Sequence, residues 1–310
     1  MKKEILKTIR YFNFFHYSPN FEEIYTFLEK KTTKKKLKKA LKILELNKKI
    51  KKIRDLNNII RYTFFVNKNT IDKYSIREWE VDNYNEKYIF SQEKLNNWRL
   101  RLYLKILSFF PQIKLIGLSG SLAMMNANKN DDVDLFIITA EHRMFTARFI
   151  AIIFAKIFNI HRSYNKNLNF QSGTYKNKVC LNLFFDEGNL LVPEFKRNYY
   201  VAHEVLQMRP IFNKDCVYEK FLYQNNWVFE LFPNAKKILL GSKCKILRLS
   251  IKEKRLPNIF SLLISAFFNK IEKNLKAFQL NLINRHRTNE IITNNQLWFH
   301  PEDFYNKIKK

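Results

Sequence analysis

The sequence predicts an α+β protein in which helices and strands occupy different parts of the chain. Apolar residues recur at helical spacing near the N-terminus, and the same pattern returns beyond residue 198. Between them lie short apolar segments typical of strands, at Ile113–Leu118, Asp132–Ile138 and Lys176–Asp186. These changes of pattern divide the chain into residues 1–67, 68–110, 111–197 and 198–310. The second part reads as a polar linker followed by a helix that Pro111 ends.

The first 67 residues predict three short helices followed by two β segments. The predicted elements are Ile5–Phe15, Phe21–Leu28, a third helix opened by Thr32 or Thr33, and the strands Lys49–Arg54 and Ile59–Val66. One face of the third helix is apolar. Its other face carries Lys34, Lys35, Lys36, Lys38, Lys39 and Lys42.

This order of elements resembles a winged helix-turn-helix domain. The resemblance implies that the third helix enters the major groove of a nucleic acid, with lysines contacting phosphates. Such lysines position a protein without reading sequence, and no set of Arg, Asn or Gln for base recognition stands out. The alternative is a protein-binding or structural module whose lysine face is simply solvated.

The most informative stretch runs from Ile113 to Ile138. An apolar segment leads into the turn Ser119-Gly120-Ser121, and ten residues later the chain reads Asp132-Val133-Asp134. Side chains alternate along a strand, so the two aspartates point to one face and Val133 to the other. Two acids on one face repel each other unless a cation lies between them, and carboxylates suit hard ions such as Mg²⁺.

A Gly-Ser turn, a ten-residue spacer and an Asp-apolar-Asp strand resemble the signature of the nucleotidyltransferase superfamily, which has the DNA polymerase β-like fold. The resemblance implies a mixed-sheet catalytic domain over 111–197. It further implies that Gly120 and Ser121, with Ser119 beside them, hold the phosphates of a nucleoside triphosphate. The paired acids Asp132 and Asp134 would hold Mg²⁺ or Mn²⁺.

The predicted strand Lys176–Asp186 departs from that family pattern. The family commonly supplies a third carboxylate here, and the best-aligned residue is Asn182, which cannot act as a base. With strict alternation, Cys180, Asn182, Phe184 and Asp186 share one face. Asp186 then lies too far along the strand to share a metal with Asp132 unless the strand bends. We therefore expect either two working acids, a third supplied by Asp186 through curvature, or a weak site.

The last part of the chain predicts mainly helices, at Tyr199–Met208, Val217–Leu231 and about Leu256–Asn284. His203 and Glu204 are adjacent and point about 100° apart on a helix, so they do not form a metal-binding pair. His203 is predicted to be packed or on the surface. The order of the winged helix, the Gly-Ser and acid motifs and the later helix resembles bacterial nucleotidyltransferase-domain proteins of undefined substrate.

Composition limits the classes of function. The formal net charge of +28 favours a polyanionic partner, although the abundance of Lys, Asn, Ile, Phe and Tyr with few Gly and Pro is also typical of an A/T-biased coding sequence. Cys180, Cys216 and Cys244 form no CxxC motif, which argues against a disulfide scaffold or zinc site. The longest apolar runs fall short of the ~20 residues that a membrane-spanning helix needs. We expect a soluble, cytoplasmic protein without a membrane partner.

Two functional hypotheses follow. The first is a Mg²⁺-dependent nucleotidyltransferase that moves a nucleoside monophosphate to an acceptor hydroxyl. The second is a winged-helix DNA-binding regulator or antitoxin-like protein whose transferase domain senses a nucleotide or is inactive. The intact acid pair favours the first, and Asn182 in place of an acid favours the second.

Overall fold

A six-stranded mixed sheet is the centre of the structure. The computed structural model describes residues 1–65, 80–162, 175–236, 272–285 and 291–299. The sheet has the strand order β6-β3-β4-β5-β8-β7. Its strands are β3 (Ile113–Leu118), β4 (Val133–Thr139), β5 (Val179–Asp186), β6 (Arg209–Asn213), β7 (Ile291–Ile292) and β8 (Gln296–Trp298). Only β4 and β5 pair in parallel; β3–β4, β3–β6, β5–β8 and β7–β8 are antiparallel. The predicted α+β class with a mixed sheet is confirmed.

The N-terminal residues form three helices and a hairpin, as predicted. These are α1 (Lys2–Phe14), α2 (Phe21–Thr26), α3 (Lys34–Leu46), β1 (Ile50–Arg54) and β2 (Ile60–Phe64). Thr33 caps α3 by accepting a hydrogen bond from the Lys36 amide, which decides between the two predicted caps. Asn20 and Glu23 form a reciprocal capping box on α2. The buried side chains of these elements include Ile5, Ile9, Ile24, Leu37 and Leu41.

Helices cover both faces of the six-stranded sheet. They are α4 (Glu80–Asn96), α5 (Trp98–Phe109), α6 (Gly120–Ala123), α7 (Met144–Ile157), α8 (Tyr199–Gln207), α9 (Val217–Gln224), α10 (Val228–Leu231) and α11 (272–284). One face packs Val133, Leu135 and Ile137 in a core with α5 and α7. The other face packs Phe136 and Ile138 in a second core with α8 and α9. Because side chains alternate along β4, this strand contributes to the cores on both faces of the sheet.

The region beyond residue 198 is not only helical. It contributes β6, β7 and β8 to the sheet, so a boundary at 197/198 would cut through one sheet. The predicted helix Val217–Leu231 is broken after Gln224, and the predicted helix Leu256–Asn284 lies outside the described residues up to residue 271. The predicted helix that Pro111 ends is likewise two helices, α4 and α5, because the Asn97 side chain accepts hydrogen bonds from the first amides of α5.

The N-terminal helices share a core with the sheet through α8. The His203 ring stacks between Tyr11, with ring centroids 3.6 Å apart, and Phe27, at 4.4 Å. Asn234 adds polar contacts by accepting from the Thr32 amide and donating to the Lys30 carbonyl. His203 is fully buried, which agrees with the packed rather than the surface position that the sequence allowed. Helix α8 therefore joins the first three helices to the sheet.

Within the described ranges, every helix is too short or too polar to cross a bilayer.

Candidate functional site

The turn after β3 brings the backbone against an aspartate. The Ser119 amide donates to the Asp134 carbonyl at 3.1 Å, which continues the β3–β4 pairing into the turn. Gly120 follows with φ +60°, a left-handed conformation that side chains disfavour. A Cβ at Gly120 would lie 2.6 Å from Oδ2 of Asp134. Glycine is therefore required here both by backbone conformation and by the close approach of the carboxylate.

The acid pair converges at the start of β4. Asp134 lies on the face of β4 that also carries Phe136, and Asp132 immediately precedes the strand. One carboxylate oxygen from each and Sγ of Cys180 all lie within 4.8 Å of one another. The predicted convergence of Asp132 and Asp134 on one face is thus observed, and this group could hold a cation.

A β-bulge in β5 follows the residues that face the acid pair and reverses the faces of the rest of the strand. Asp134 pairs with Cys180 but Phe136 pairs with Leu183, so β5 has one extra residue in between. Asn182 donates from Nδ2 to Oδ1 of Asp134 at 2.8 Å, and the Cys180 thiol donates to Oδ1 of Asn182 at 2.7 Å. Asn182 is therefore beside the acids, as its alignment predicted. The strict alternation expected along this strand is wrong, because the bulge places Asn182 and Leu183 on the same side.

The structure does not bring Asp186 to the site. It pairs with Thr139, five residues beyond Asp134 and about 16 Å away at ~3.3 Å per residue. Its carboxylate accepts hydrogen bonds from the amides of His142 at 2.6 Å and Gly188 at 2.8 Å, in the loops at that end of the strands. Asp186 therefore stabilises two turns at the far end of β5 and does not reach the acid pair.

Arg162 supplies a positive charge that the sequence pattern did not indicate. Its guanidinium forms an ion pair with the Asp132 carboxylate and lies 3.3 Å from Sγ of Cys180. The guanidinium also lies over the Tyr175 ring, 4.4 Å from its centroid. The guanidinium partly neutralises the acid pair, and it occupies a position beside Asp132 that a metal cation could take instead.

Glu204 is a third carboxylate that sequence reasoning missed. It projects from α8 towards the turn, where the Gly120 amide donates to its carboxylate and the Tyr200 hydroxyl hydrogen-bonds to it. The signal in the sequence is a glutamate between the apolar residues of α8, next to His203. The two side chains diverge by about 100°, so His203 packs on the N-terminal helices while Glu204 faces the turn.

The electrostatics of the site reflect an excess of buried negative charge. The pKa of Asp134 is raised to about 8 by burial and by the charges of Asp132 and Glu204, against the opposing effect of Arg162. The pKa of Glu204 is raised to about 7 by burial, although its two hydrogen bonds act to lower it. Burial also raises the pKa of the Cys180 thiol, which keeps it protonated at neutral pH. A cation between the acids would relieve this repulsion.

Ser119 and Ser121, the two serines of the turn, contact neighbouring parts of the site. The Ser121 hydroxyl donates to Oδ2 of Asp131 at 3.2 Å, and the same carboxylate accepts from the Asn128 amide at 2.8 Å. Ser119 lines a cavity beside Glu204. These hydrogen bonds within the spacer hold the Gly-Ser turn and the acid pair at a fixed separation. Nucleotide binding by Ser119, Gly120 and Ser121 stays a prediction.

The lysines of α3 lie on an exposed face. All six side chains are exposed, and Lys34 alone among them forms an ion pair with a described residue, at 2.7 Å from Glu22. The apolar residues Leu37, Ala40, Leu41 and Leu44 hold the opposite face in the core. Lys35, Lys38, Lys39 and Lys42 are therefore available to an anionic partner, which nothing else in the structure identifies.

Chemically, the site combines carboxylate oxygens for a hard cation, a glycine turn against one of the acids, and an arginine. No protein-family model, no characterised protein and no solved structure matches the chain. Its function is therefore argued from the geometry of this site.

Proposed function

We propose that this chain is a divalent-metal-dependent phosphoryl-transfer enzyme. The observation that carries the proposal is the convergence of Asp132 and Asp134 within 4.8 Å, with the backbone of Gly120 packed against the Asp134 carboxylate. Paired carboxylates beside a glycine turn form a site for a hard cation, and the Arg162 guanidinium beside Asp132 supplies a positive charge for a phosphate. Two solvated surface acids would not be partly buried side by side, nor would one of them accept a hydrogen bond from Asn182 at 2.8 Å.

Within that class, we propose a nucleotidyltransferase that uses Mg²⁺ or Mn²⁺ and a nucleoside triphosphate. The donor set fits a hard ion: Asp132 and Asp134 offer oxygens, whereas the Cys180 thiol is protonated and donates to Asn182. A bound ion would polarise the phosphate and offset the charge that develops as the acceptor hydroxyl oxygen attacks the α-phosphorus and pyrophosphate leaves. The support is the resemblance of the turn and acid motifs to the superfamily, together with their observed proximity.

The protein's own residues have distinct roles in this proposal. Asn182 holds the Asp134 carboxylate by its 2.8 Å hydrogen bond and cannot accept a proton itself. Glu204 is the third carboxylate, supplied by α8 in place of β5, and it would take the proton of the acceptor hydroxyl. Its pKa of about 7 suits a base at neutral pH. Arg162 would exchange its contact with Asp132 for the phosphates of the substrate.

The experiment is label transfer from each α-³²P nucleoside triphosphate, with Mg²⁺ or Mn²⁺, to total cellular RNA and protein. We expect transfer by the wild type and none by Asp132→Asn or Asp134→Asn. Asp215→Asn is the matched control, because Asp215 pairs with Lys114 at 2.5 Å outside the site. Transfer that survives both substitutions would refute the proposed metal ligands, and loss of transfer in Asp215→Asn would show that the effect is not specific to the site.

The second candidate is a nucleic-acid-binding regulator that senses a nucleotide. The observation that favours it is the exposed lysine face of α3, joined through α1, α2 and α8 to the site. In this proposal α3 contacts phosphates of a nucleic acid, and nucleotide binding near Glu204 changes the packing of α8. Nucleotide binding without any label transfer would support the regulator, and metal-dependent transfer would support the enzyme.

A further inference from the structure

Helix α4 carries a buried lysine that contacts the chain just before the acid pair. Lys94 is only 3% exposed. Its ammonium donates to the Asp131 carbonyl at 2.7 Å, to the Lys129 carbonyl at 3.0 Å and to Oδ1 of Asn177 at 3.3 Å. Lysines are rarely buried without such partners, because an unpaired buried ammonium is costly. Lys94 is therefore held in place by a defined set of three oxygens.

These oxygens belong to the two segments that lead into the parallel strands of the sheet. Asp131 is followed directly by Asp132 at the start of β4, and Asn177 lies just before β5. The same two segments are joined by the Val133 amide, which donates to the Lys178 carbonyl at 2.8 Å. Strand β4 carries the acid pair, and β5 carries the thiol and the amide beside it. The ammonium therefore connects the beginnings of both strands that build the site.

All three N–H groups of the ammonium are engaged. A lysine side chain has three such donors, and each of the three oxygens accepts one of them. Lys94 therefore differs from a lysine that contacts substrate phosphate as a free point charge. Its charge nevertheless acts near the site: burial lowers the pKa of Lys94, and the charges of Asp131 and Asp132 act against that effect. The contacts of Lys94 indicate that it orients the chain rather than binding substrate.

Ser91, one turn earlier on α4, offers a comparison within the same helix. Its hydroxyl accepts from the Ala127 amide at 3.0 Å and donates to the Lys87 carbonyl at 2.7 Å. Ser91 is fully buried, like Lys94, and it holds the same spacer. Its contact lies at the beginning of the spacer, whereas that of Lys94 lies next to Asp132. Loss of Ser91 therefore separates general loosening of the spacer from an effect on the acid pair.

We propose that Lys94 is a positioning residue for the metal site, whose ammonium fixes the chain entering β4 and β5 so that the carboxylates of Asp132 and Asp134 converge. Groups that orient metal ligands in this way typically contribute about 10–100-fold to metal affinity. The charge of the ammonium has the opposite effect, because it repels a cation. Loss of Lys94 therefore weakens Mg²⁺ binding if the residue positions the ligands, and strengthens it if its charge alone matters. This role rests on the proposed function, which supplies the metal ligands, but metal binding is measured without turnover.

The test is the Mg²⁺ dissociation constant of the full chain, measured by calorimetry. We expect Lys94→Met to bind Mg²⁺ about tenfold more weakly, and Ser91→Ala to bind it as the wild type does. Both variants should have lower melting temperatures, because each leaves buried polar groups without a partner. Lys94→Ala leaves room for a small amine, so propylammonium should restore its Mg²⁺ affinity. Tetramethylammonium has the same charge but no N–H group, and it should restore nothing.

Asn177→Gly provides the same test if the Lys94 variants do not fold. It removes one of the three acceptors, and glycine suits the left-handed backbone there, with φ +59°. It should weaken Mg²⁺ binding about threefold, as expected from the loss of one hydrogen bond, and unchanged binding would then overturn the proposal.

The outcomes separate this role from the proposed function. Unchanged or tighter Mg²⁺ binding in Lys94→Met, equal weakening in Ser91→Ala, or equal restoration by tetramethylammonium overturns the positioning role. Weaker Mg²⁺ binding in Lys94→Met together with failed label transfer by the wild type refutes the proposed enzyme alone. Label transfer by the wild type with unchanged Mg²⁺ affinity in Lys94→Met refutes the positioning role alone, and a wild type that binds no Mg²⁺ overturns both.

Discussion

Gly120→Ala is the substitution that most directly tests the geometry of the turn. The added Cβ would lie 2.6 Å from Oδ2 of Asp134, and the backbone φ of +60° is one that alanine disfavours. The backbone conformation costs about 1–2 kcal/mol. Moving the Asp134 side chain also breaks its hydrogen bond from Asn182, which contributes about 1 kcal/mol because the raised pKa of Asp134 keeps this acid mostly neutral at pH 7. The free energy of unfolding should fall by about 2–3 kcal/mol in sum.

The assay is thermal and denaturant unfolding in EDTA, followed by titration with Mg²⁺. A reduction of about 2–3 kcal/mol corresponds to a melting temperature lower by roughly 3–5 °C, because 310 residues at ~2.1 cal/mol/K each give an unfolding entropy of about 0.65 kcal/mol/K. The displaced carboxylate should also abolish the stabilisation that Mg²⁺ gives to the wild type.

Gly188→Ala is the matched control for Gly120→Ala. Its added Cβ would lie 3.1 Å from Oδ1 of Asp186, so it also approaches an aspartate, but without a left-handed backbone and at the far end of β5. We expect it to cost less than about 1 kcal/mol, within the usual range for a single substitution, and to leave the Mg²⁺ effect intact. Gly120→Ala within about 0.5 kcal/mol of the wild type would refute the close approach of turn and carboxylate.

The remaining predictions concern charge. In EDTA the stability of the folded chain should fall as pH rises from about 4 towards 8. The raised pKa values of Asp134 and Glu204 mean that the folded state binds more protons than the unfolded state over that range. Excess Mg²⁺ should reduce this fall and Asp134→Asn should flatten it, whereas the same slope in Asp134→Asn and wild type would show that Asp134 does not cause it. The Arg162→Met variant should bind Mg²⁺ about tenfold more tightly by calorimetry, since the ion pair with Asp132 that competes with the metal contributes ~1.5 kcal/mol. The same variant should unfold more easily in EDTA. Weaker Mg²⁺ binding would show that the guanidinium does not compete with the metal for Asp132. Replacing Lys35, Lys38, Lys39 and Lys42 by glutamine should weaken binding to duplex DNA. The slope of log affinity against log salt concentration should fall in magnitude by about 0.9 for each phosphate that the helix no longer neutralises. An unchanged slope would mean that the lysines of α3 do not contact DNA.

Local features of the site were accessible to sequence reasoning. The period of two fixed Asp132 and Asp134 on one face, and Gly120 after an apolar strand marked the turn. Both depend on neighbours within one segment, where backbone geometry alone sets direction. The three N-terminal helices and their hairpin followed for the same reason, since helical spacing, caps and turn residues are local.

Partners that are distant in sequence could not be predicted in this way. Strand β6 is five residues long and contains Pro210, so it lacks a strand signal of its own and exists through pairing with β3. The bulge in β5 depends on how that strand pairs with β4, and it places Leu183 and Phe185, rather than Phe184 and Asp186, on the face that carries Asp134 and Phe136.

The sequence by itself determined the turn, the acid pair and the order of the helices, because each is set by residues adjacent in the chain. Only the tertiary structure decided that Arg162 neutralises Asp132, that Glu204 reaches Gly120, and that aromatic rings from β4, β5, α9 and β8 pack on one another beside them. The physical reason is that electrostatic contacts and burial depend on distance in space. Packing of α8 on the sheet brings these groups together, and no periodicity along the chain encodes that packing.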